Sequence, residues 1–482
     1  MIKVLEHIVK MNTIYDILAL CCSYVFNKYA ENPIEFAVLD TDKYNCVYDA
    51  VQLYCEQCEE VGHTVALNEF KNYIIKFLNA GITVEKCYAI IVSIDELVEG
   101  KISNKLLGKE SYVKYDSLNT QFKDKVKILP KFENTFINRN NKKLGSNNYG
   151  FLRKCRQNDC SPIDSEISNY TIWNEEYIKK YPLWIYHFDE TSIIAKHFYQ
   201  RNQVVLGIVP FTDIEQEKLL DVRYKNRAFY IENVYPDVEK KLKKKYDDIC
   251  NKAQKEKVDF LIFPEMLMTE NILNNIDKER DKKSFRIIVN GSIWKDKTNR
   301  SIVANANGDE IFSYFKKNPY KFKKNGIEYT ELLDKSKNTE YPILEFEGFG
   351  RVGIGICKDL ISEEVKLFHK IVGTNLLIVP AYTGSMDLES SAENLSREYN
   401  CIVVVVNACS ALEKRKENAR VGFITLPAKI ESDRTGVTIQ YYRNECASEC
   451  EKACRAKKII IDFEKKNTYE KKESFFVSET IF

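Results

Sequence analysis

Three short stretches carry residue types able to do chemistry together: Phe263-Pro264-Glu265, Tyr314-Phe315-Lys316-Lys317, and Gly353-Ile354-Gly355-Ile356-Cys357-Lys358-Asp359. Cys357 ends an apolar, strand-type run and is followed at once by a charged pair, which is how a nucleophile is presented at the tip of a buried strand. The thiolate is the reactive form of cysteine, and a nearby cation lowers the thiol pKa. A lone cysteine is more often a small buried hydrophobe, so Cys357 gains weight only from an acid–base group and a cation elsewhere. Glu265 closes the run Asp259-Phe260-Leu261-Ile262. A carboxylate at the end of a buried strand is partly desolvated, and its pKa rises as a general base near neutrality requires. The alternative for Glu265 is to cap a helix beginning near Met266. In a period-2 strand Tyr314 and Lys316 share one face, so Lys316 can point inward while Lys317 points out. A surface lysine is the ordinary alternative in a chain with 72 Lys and Arg residues.

The elements that must position these groups are short apolar runs rich in β-formers, at 183–188, 204–209, 259–263, 286–289, 301–304, 311–314, 353–356, 376–379, 402–406 and 459–461. Helical stretches fall between them, which predicts a layered α/β domain and not an all-β sandwich. Asn307-Gly308-Asp309 predicts a turn between two of the strands. We place this domain at 203–463, with 464–482 as a C-terminal tail. Residues 1–133 carry apolar side chains at helical spacing, as in 44–58, 67–78 and 84–97, and predict a helical N-terminal domain. Thr83 is the expected N-cap of the last helix and Gly100 its stop. Residues 134–202 form a connecting segment, rich in Asn, Lys, Gly and Ser up to about 165.

Over 482 residues the charges nearly cancel, to a net +2. That argues against a nucleic-acid-coating surface. Glu6, Lys10 and Asp16 interrupt the approach to the apolar run at 17–26, so the start lacks secretory grammar, and no run is long enough to span a bilayer. A cytoplasmic protein is expected, with its 15 cysteines reduced and not paired. With five histidines, including His369, catalysis by several imidazoles has few candidates.

Taken in chain order, the three stretches resemble the carbon–nitrogen hydrolase (nitrilase) superfamily over about 203–463. Glu265 stands in the family's apolar-run-Pro-Glu setting and Lys316 in its Tyr-x-Lys setting. Cys357 stands in the Gly-rich-strand-then-Cys-x-Asp setting, with Asp359 also matching. The flanking stretches 376–381 and 397–407 resemble the family's next strand and its helix-to-strand segment, which holds a Glu and a later Asn, here Asn407. Lys358 replaces the common aromatic after the cysteine, and Asn318 the common His two residues after the lysine.

The resemblance implies a nitrilase-like four-layer α-β-β-α sandwich preceded by a small, mostly helical domain. It also implies a triad in which Glu265 takes the Cys357 proton and the thiolate attacks an amide, nitrile or ureido carbon. The Lys316 ammonium and the Lys358 backbone N–H would stabilise the negative charge. Glu328 is the candidate second glutamate supporting the lysine, with Glu331 the lesser one. A small-molecule substrate and a homo-oligomer are implied, with no cofactor and no metal. Acyl transfer to an amine stays open. So does another class: a catalytically silent scaffold whose helical domain binds a partner protein.

Other patterns carry less. The glycines from Gly348 to Gly353 have dinucleotide-fingerprint spacing but precede a strand. Cys55, Cys58 and His63, completed by Cys155 and Cys160, suggest zinc, but Cys55 and Cys58 fall in one continuous helix and no second close pair lies at zinc-ribbon distance, so core or surface thiols are expected. Cys446, Cys450 and Cys454 align on one helix face. The lysines of 240–245 read as the solvated face of a helix.

Overall fold

The computed structural model describes residues 41–60, 67–79, 81–100, 126–130, 170–174, 180–188, 203–274, 286–334, 340–346, 349–384, 387–412, 420–430, 434–443, 456–469 and 472–482, with Ser336 and positions between 17 and 28. The segment 134–165, His63, Cys155, Cys160, Cys446, Cys450, Cys454 and the side chains of Cys55 and Cys58 lie outside the described residues. No helix among the described residues is long and apolar enough to cross a membrane. Contacts divide the chain into two compact units, the first within Met1–Glu133, Asn148–Ile185 and Ile371–Gly373, the second within Asn134–Asn147, Tyr186–Lys370 and Thr374–Phe482.

The first unit holds helices α1 (Thr41–Glu60), α2 (Leu67–Asn79) and α3 (Val84–Gly100). In α2, Phe70, Ile74 and Leu78 recur every fourth residue and form one buried stripe. They share a core with Val47, Val51, Ile90 and Ile94. Thr83 receives the Lys86 amide on Oγ1 at 3.4 Å, an N-cap bond for α3. Strands β1 (Val126–Pro130) and β2 (Tyr170–Asn174) pair antiparallel in the same unit.

The second unit is α/β. After β3 (Leu183–Phe188), of which residues 186–188 fall in this unit, come β4 (Gln203–Ile208), β5 (Leu220–Lys225), β6 (Ala228–Val234), helix α4 (Pro236–Lys255), β7 (Phe260–Ile262), β8 (Ile287–Val289), β9 (Ile293–Lys295), β10 (Thr298–Asn305) and β11 (Glu310–Phe315). Then follow β12 (Lys321–Lys324), β13 (Ile327–Glu331), β14 (Tyr341–Phe346), β15 (Gly350–Ile354), helix α5 (Glu363–Ile371), β16 (Leu376–Ala381), helix α6 (Leu388–Tyr399) and β17 (Ile402–Asn407). The chain closes with β18 (Arg420–Ile430), β19 (Arg434–Arg443), β20 (Lys457–Tyr469) and β21 (Lys472–Ile481). The main sheet runs β11-β10-β8-β7-β4-β20-β21-β18-β17-β16-β15-β14.

That sheet folds over on itself. Tyr186, next to β14 at one end of the order, stacks on Phe312 of β11 at the other, with ring centroids 5.0 Å apart. Phe260 of β7 likewise meets Phe346 of β14 at 6.1 Å. Alternation along β4 sends Val204, Leu206 and Ile208 into the core between the two halves, and Val205 to the opposite face beneath Leu242, Tyr246 and Ile249 of α4. On the far half, Ala392 and Leu395 of α6 pack against the sheet. The layers are helix, sheet, sheet, helix, the α-β-β-α order expected.

Residues 464–469 and 472–481, expected as a tail, lie in β20 and β21. β20 pairs antiparallel with β4, β21 with β20 and with β18, so this hairpin joins the two halves. Its buried anchor, Phe475, meets Phe463 at 5.2 Å. The adjacent Phe475-Phe476 pair breaks the alternation by which a strand is recognised from sequence. A separate four-stranded sheet, β12-β13-β6-β5, lies within the same unit.

Candidate active site

Glu265 is set three residues past β7, a fully buried strand. Phe263 still bonds to Val289 O at 3.0 Å, and the Glu265 amide reaches Ala381 O at 3.3 Å. Met266 then takes a left-handed φ of 66°, and its amide bonds Ser292 Oγ at 2.9 Å. The next helical residues are Glu270–Asn274, so Glu265 does not cap a helix at Met266. The turn leaves its carboxylate with no exposure.

Lys316 follows β11, where Phe312 and Tyr314 alternate inward and Lys316 continues the period. Its side chain is 0% exposed, and its Nζ lies 2.7 Å from Glu265 Oε1 and 2.7 Å from Glu331 Oε2. Lys317 faces the other way and donates to Glu340 O at 2.7 Å. Asn299, buried on β10, donates through Nδ2 at 2.9 Å to Oε1 of both glutamates. The Tyr320 amide donates to Glu331 Oε2 at 2.9 Å, and the Tyr382 amide to Glu265 Oε2 at 3.1 Å.

Glu328 is not the lysine's partner. It is exposed on β13, paired in register with Lys323, whereas Glu331 is 3% exposed and holds Lys316. An odd offset of three along a strand turns the two glutamates to opposite faces.

Cys357 begins a 3-10 turn, Cys357–Ile361, after β15. It is 2% exposed with φ 47°, a conformation a non-glycine residue rarely adopts. Such outliers cluster at functional sites. The thiol is free, and Glu265, Lys316 and the Tyr382 backbone N–H are the groups near enough to act on its proton. Asp359 fixes the turn: it accepts the Ile356 amide at 3.0 Å on Oδ2, and the Lys317 and Asn318 amides at 3.0 and 2.8 Å on Oδ1. Asn407 grips Thr383 in both directions, at 3.0 and 2.7 Å, steadying the loop that gives the Tyr382 amide to the site. Lys358 lies at the rim, its Nζ 5.8 Å from the Tyr320 ring centre and 4.0 Å from Asp387 Oδ2.

Electrostatics divide the protons. Burial pushes Glu265 above the usual carboxylate range and outweighs the pull of Lys316. Burial alone would lower Lys316, but the carboxylates of Glu265 and Glu331 raise it well above its ordinary value. Burial and then Glu265 push the Cys357 thiol up against the opposing Lys316 charge. Lys316 thus lowers the thiol pKa as a nearby cation should, but burial and Glu265 outweigh it. Among the described residues no group of three or more His, Cys, Asp or Glu is placed to hold a metal ion. Sequence reasoning passed over Asn299, Tyr320 and Tyr382. Only a polar residue at an inward strand position marked Asn299, and nothing local marked the other two.

No protein-family model matches the chain, and no curated protein does. Among solved structures the chain is similar to the Caenorhabditis elegans NitFhit protein, with TM-score 0.33 and 16% identity, over 50% of this chain and 61% of that one. It is also similar to Nit3 from Saccharomyces cerevisiae, described as a member of branch 10 of the nitrilase superfamily, with TM-score 0.31 and 15% identity, over 57% of this chain and 89% of that one. An amidase from Nesterenkonia sp. matches with TM-score 0.32 and 12% identity, over 50% of this chain and 90% of that one.

Proposed function

We propose that the chain is a thiol hydrolase of the carbon–nitrogen hydrolase type, cleaving a non-peptide C–N bond of an amide, nitrile or carbamoyl compound. One observation carries the proposal: a single buried carboxylate, Glu265, lies 2.7 Å from the Lys316 ammonium and close enough to the buried Cys357 thiol to push its pKa up.

For an amide, Glu265 takes the thiol proton as sulfur attacks the carbonyl carbon, so no free thiolate need accumulate. The negative charge moves to the carbonyl oxygen, where the Lys316 ammonium and the Lys358 backbone N–H are the proposed stabilising groups. Collapse breaks the C–N bond, Glu265 returns its proton to the leaving amine, and a thioester remains on Cys357. Glu265 then takes a proton from water, hydroxide oxygen adds to the thioester, and the acid leaves as the thiol is restored. Lys316 keeps its proton throughout, held by Glu331.

The test is ammonia release from a panel of amides, nitriles and ureido compounds. Wild type is expected to turn over at least one, with an acyl adduct on Cys357 visible by intact mass, and Cys357→Ala is expected to be inactive while melting like wild type. A Cys357→Ala protein as active as wild type would sink the proposal.

A further inference from the structure

The four-stranded sheet has two unlike faces. Lys321, Lys323 and Glu328 lie exposed on one. On the other, register places Tyr224 opposite Phe229 and Phe229 opposite Glu331, while the Glu331 amide bonds to Tyr320 O at 2.8 Å. Phe322 pairs with Tyr329 in the next row. Directly paired residues project to the same side, so one face carries Tyr224, Phe229, Tyr320, Phe322 and Tyr329 around Glu331.

The rings form a connected strip. Tyr320 stacks on Phe322 at 6.0 Å, Phe322 on Tyr329 at 5.8 Å, and Tyr329 meets Tyr224 at 4.9 Å. The strip begins at the catalytic cluster: Glu331 holds Lys316, the Tyr320 amide donates to Glu331 Oε2 at 2.9 Å, and the ammonium of Lys358, next to Cys357, lies 5.8 Å from the Tyr320 ring centre. It is open to solvent at the far end, where Tyr224 is 42% exposed. The four strand steps from Tyr320 to Lys324 span about 13 Å, room for more than one ring.

We infer that this aromatic face binds the non-reacting part of the substrate, and that the substrate is an amide with an extended aromatic or apolar group, not a short aliphatic one. The inference rests on the hydrolase reading above. Continuity with Glu331 selects the occupant: a molecule lying on the strip has its end at Tyr320, next to the Glu331–Lys316 pair and the Lys358 ammonium.

The test is binding, which does not depend on turnover. Full-length Cys357→Ala is titrated calorimetrically with 4-phenylbutanamide and with acetamide, alone and with Tyr224→Ala or Tyr329→Ala added. The aryl amide is expected to bind at least about tenfold more tightly than acetamide. Each tyrosine truncation should cost it about two- to tenfold, the range of one aromatic stacking contact. Phenylalanine at either position keeps the ring and should keep the affinity. Equal affinity for the two amides, or truncations without effect, would overturn the inference. So would tyrosine variants that change only the oligomeric state in sedimentation, since the face would then be an interface between copies. Failure of the hydrolase reading shows up separately, as absent ammonia release in wild type.

Discussion

Tyr314 donates its phenol hydrogen to Asp359 Oδ2 across 3.0 Å, joining the strand that leads to Lys316 to the turn that carries Cys357. Asp359 is fully buried and also accepts three backbone amides and the Asn318 side chain. Asp359→Asn replaces an acceptor oxygen with a donor NH2 facing those donors. It is expected to cost about 2–3 kcal/mol of stability and to lower kcat tenfold or more as the cysteine and lysine lose their mutual position. Tyr314→Phe removes one bond and should cost about 1 kcal/mol. Urea midpoints alongside kcat check both, and an Asp359→Asn protein as stable and active as wild type would refute the staple.

Glu331 and Glu328 separate by pH profile. Burial pulls Lys316 down and the two carboxylates hold it up, so Glu331→Gln lets its pKa fall. The alkaline limb of kcat/KM should then move to lower pH, because the ammonium is lost sooner. Glu328→Gln, on the exposed face, should leave the profile in place and change stability by no more than about 0.5 kcal/mol. An unmoved limb in Glu331→Gln would contradict the assignment of the lysine's partner.

The positions of Glu265, Lys316 and Cys357 were legible because each ends or extends a short apolar run, and strand ends of one sheet converge. The partner of Lys316 was not legible: choosing between Glu328 and Glu331 requires the register of β12 and β13, set by the turn at Asn325-Gly326 and by pairing with β6. Asn299 joins the cluster only because β10 lies beside β8 and β11, a long-range fact absent from any window of sequence. The last hairpin escaped notice for the opposite reason, since its anchor sits in a run whose alternation is broken.

Gly291 tests how tightly the Glu265 turn is built. Its φ is 52°, and a Cβ there would sit 1.9 Å from the carbonyl oxygen of Pro264, the residue before Glu265. Backbone must move to admit a methyl group, so Gly291→Ala should destabilise by about 3 kcal/mol or more and abolish turnover. Gly326 has φ 77° but open space around its Cβ position. Gly326→Ala should therefore cost only the backbone term, about 1 kcal/mol. Similar urea midpoints for the two variants would show that the Pro264 contact is not limiting.

Acid should unfold the protein from beneath β15. His369 is 3% exposed, its Nδ1 lies 3.0 Å from Thr374 Oγ1, and its Nε2 has no hydrogen-bond partner among the described residues. Burial lowers its pKa from 6.5 to about 3. The folded ring thus stays neutral while the unfolded imidazole takes a proton as pH drops below 6.5. Stability is present above that pH and is lost on acidification toward 3, at up to about 1.4 kcal/mol per pH unit. The ring edge lies 2.5 Å from where a Cβ on Gly353 would be, so it packs on the backbone four residues before Cys357. Glu265, whose carboxyl is raised, works in the opposite sense and offsets part of the slope. His369→Gln removes the imidazole titration, so the fall in urea midpoint between pH 7 and pH 5 should be smaller than in wild type. An equal fall in both proteins would place the acid-sensitive group elsewhere.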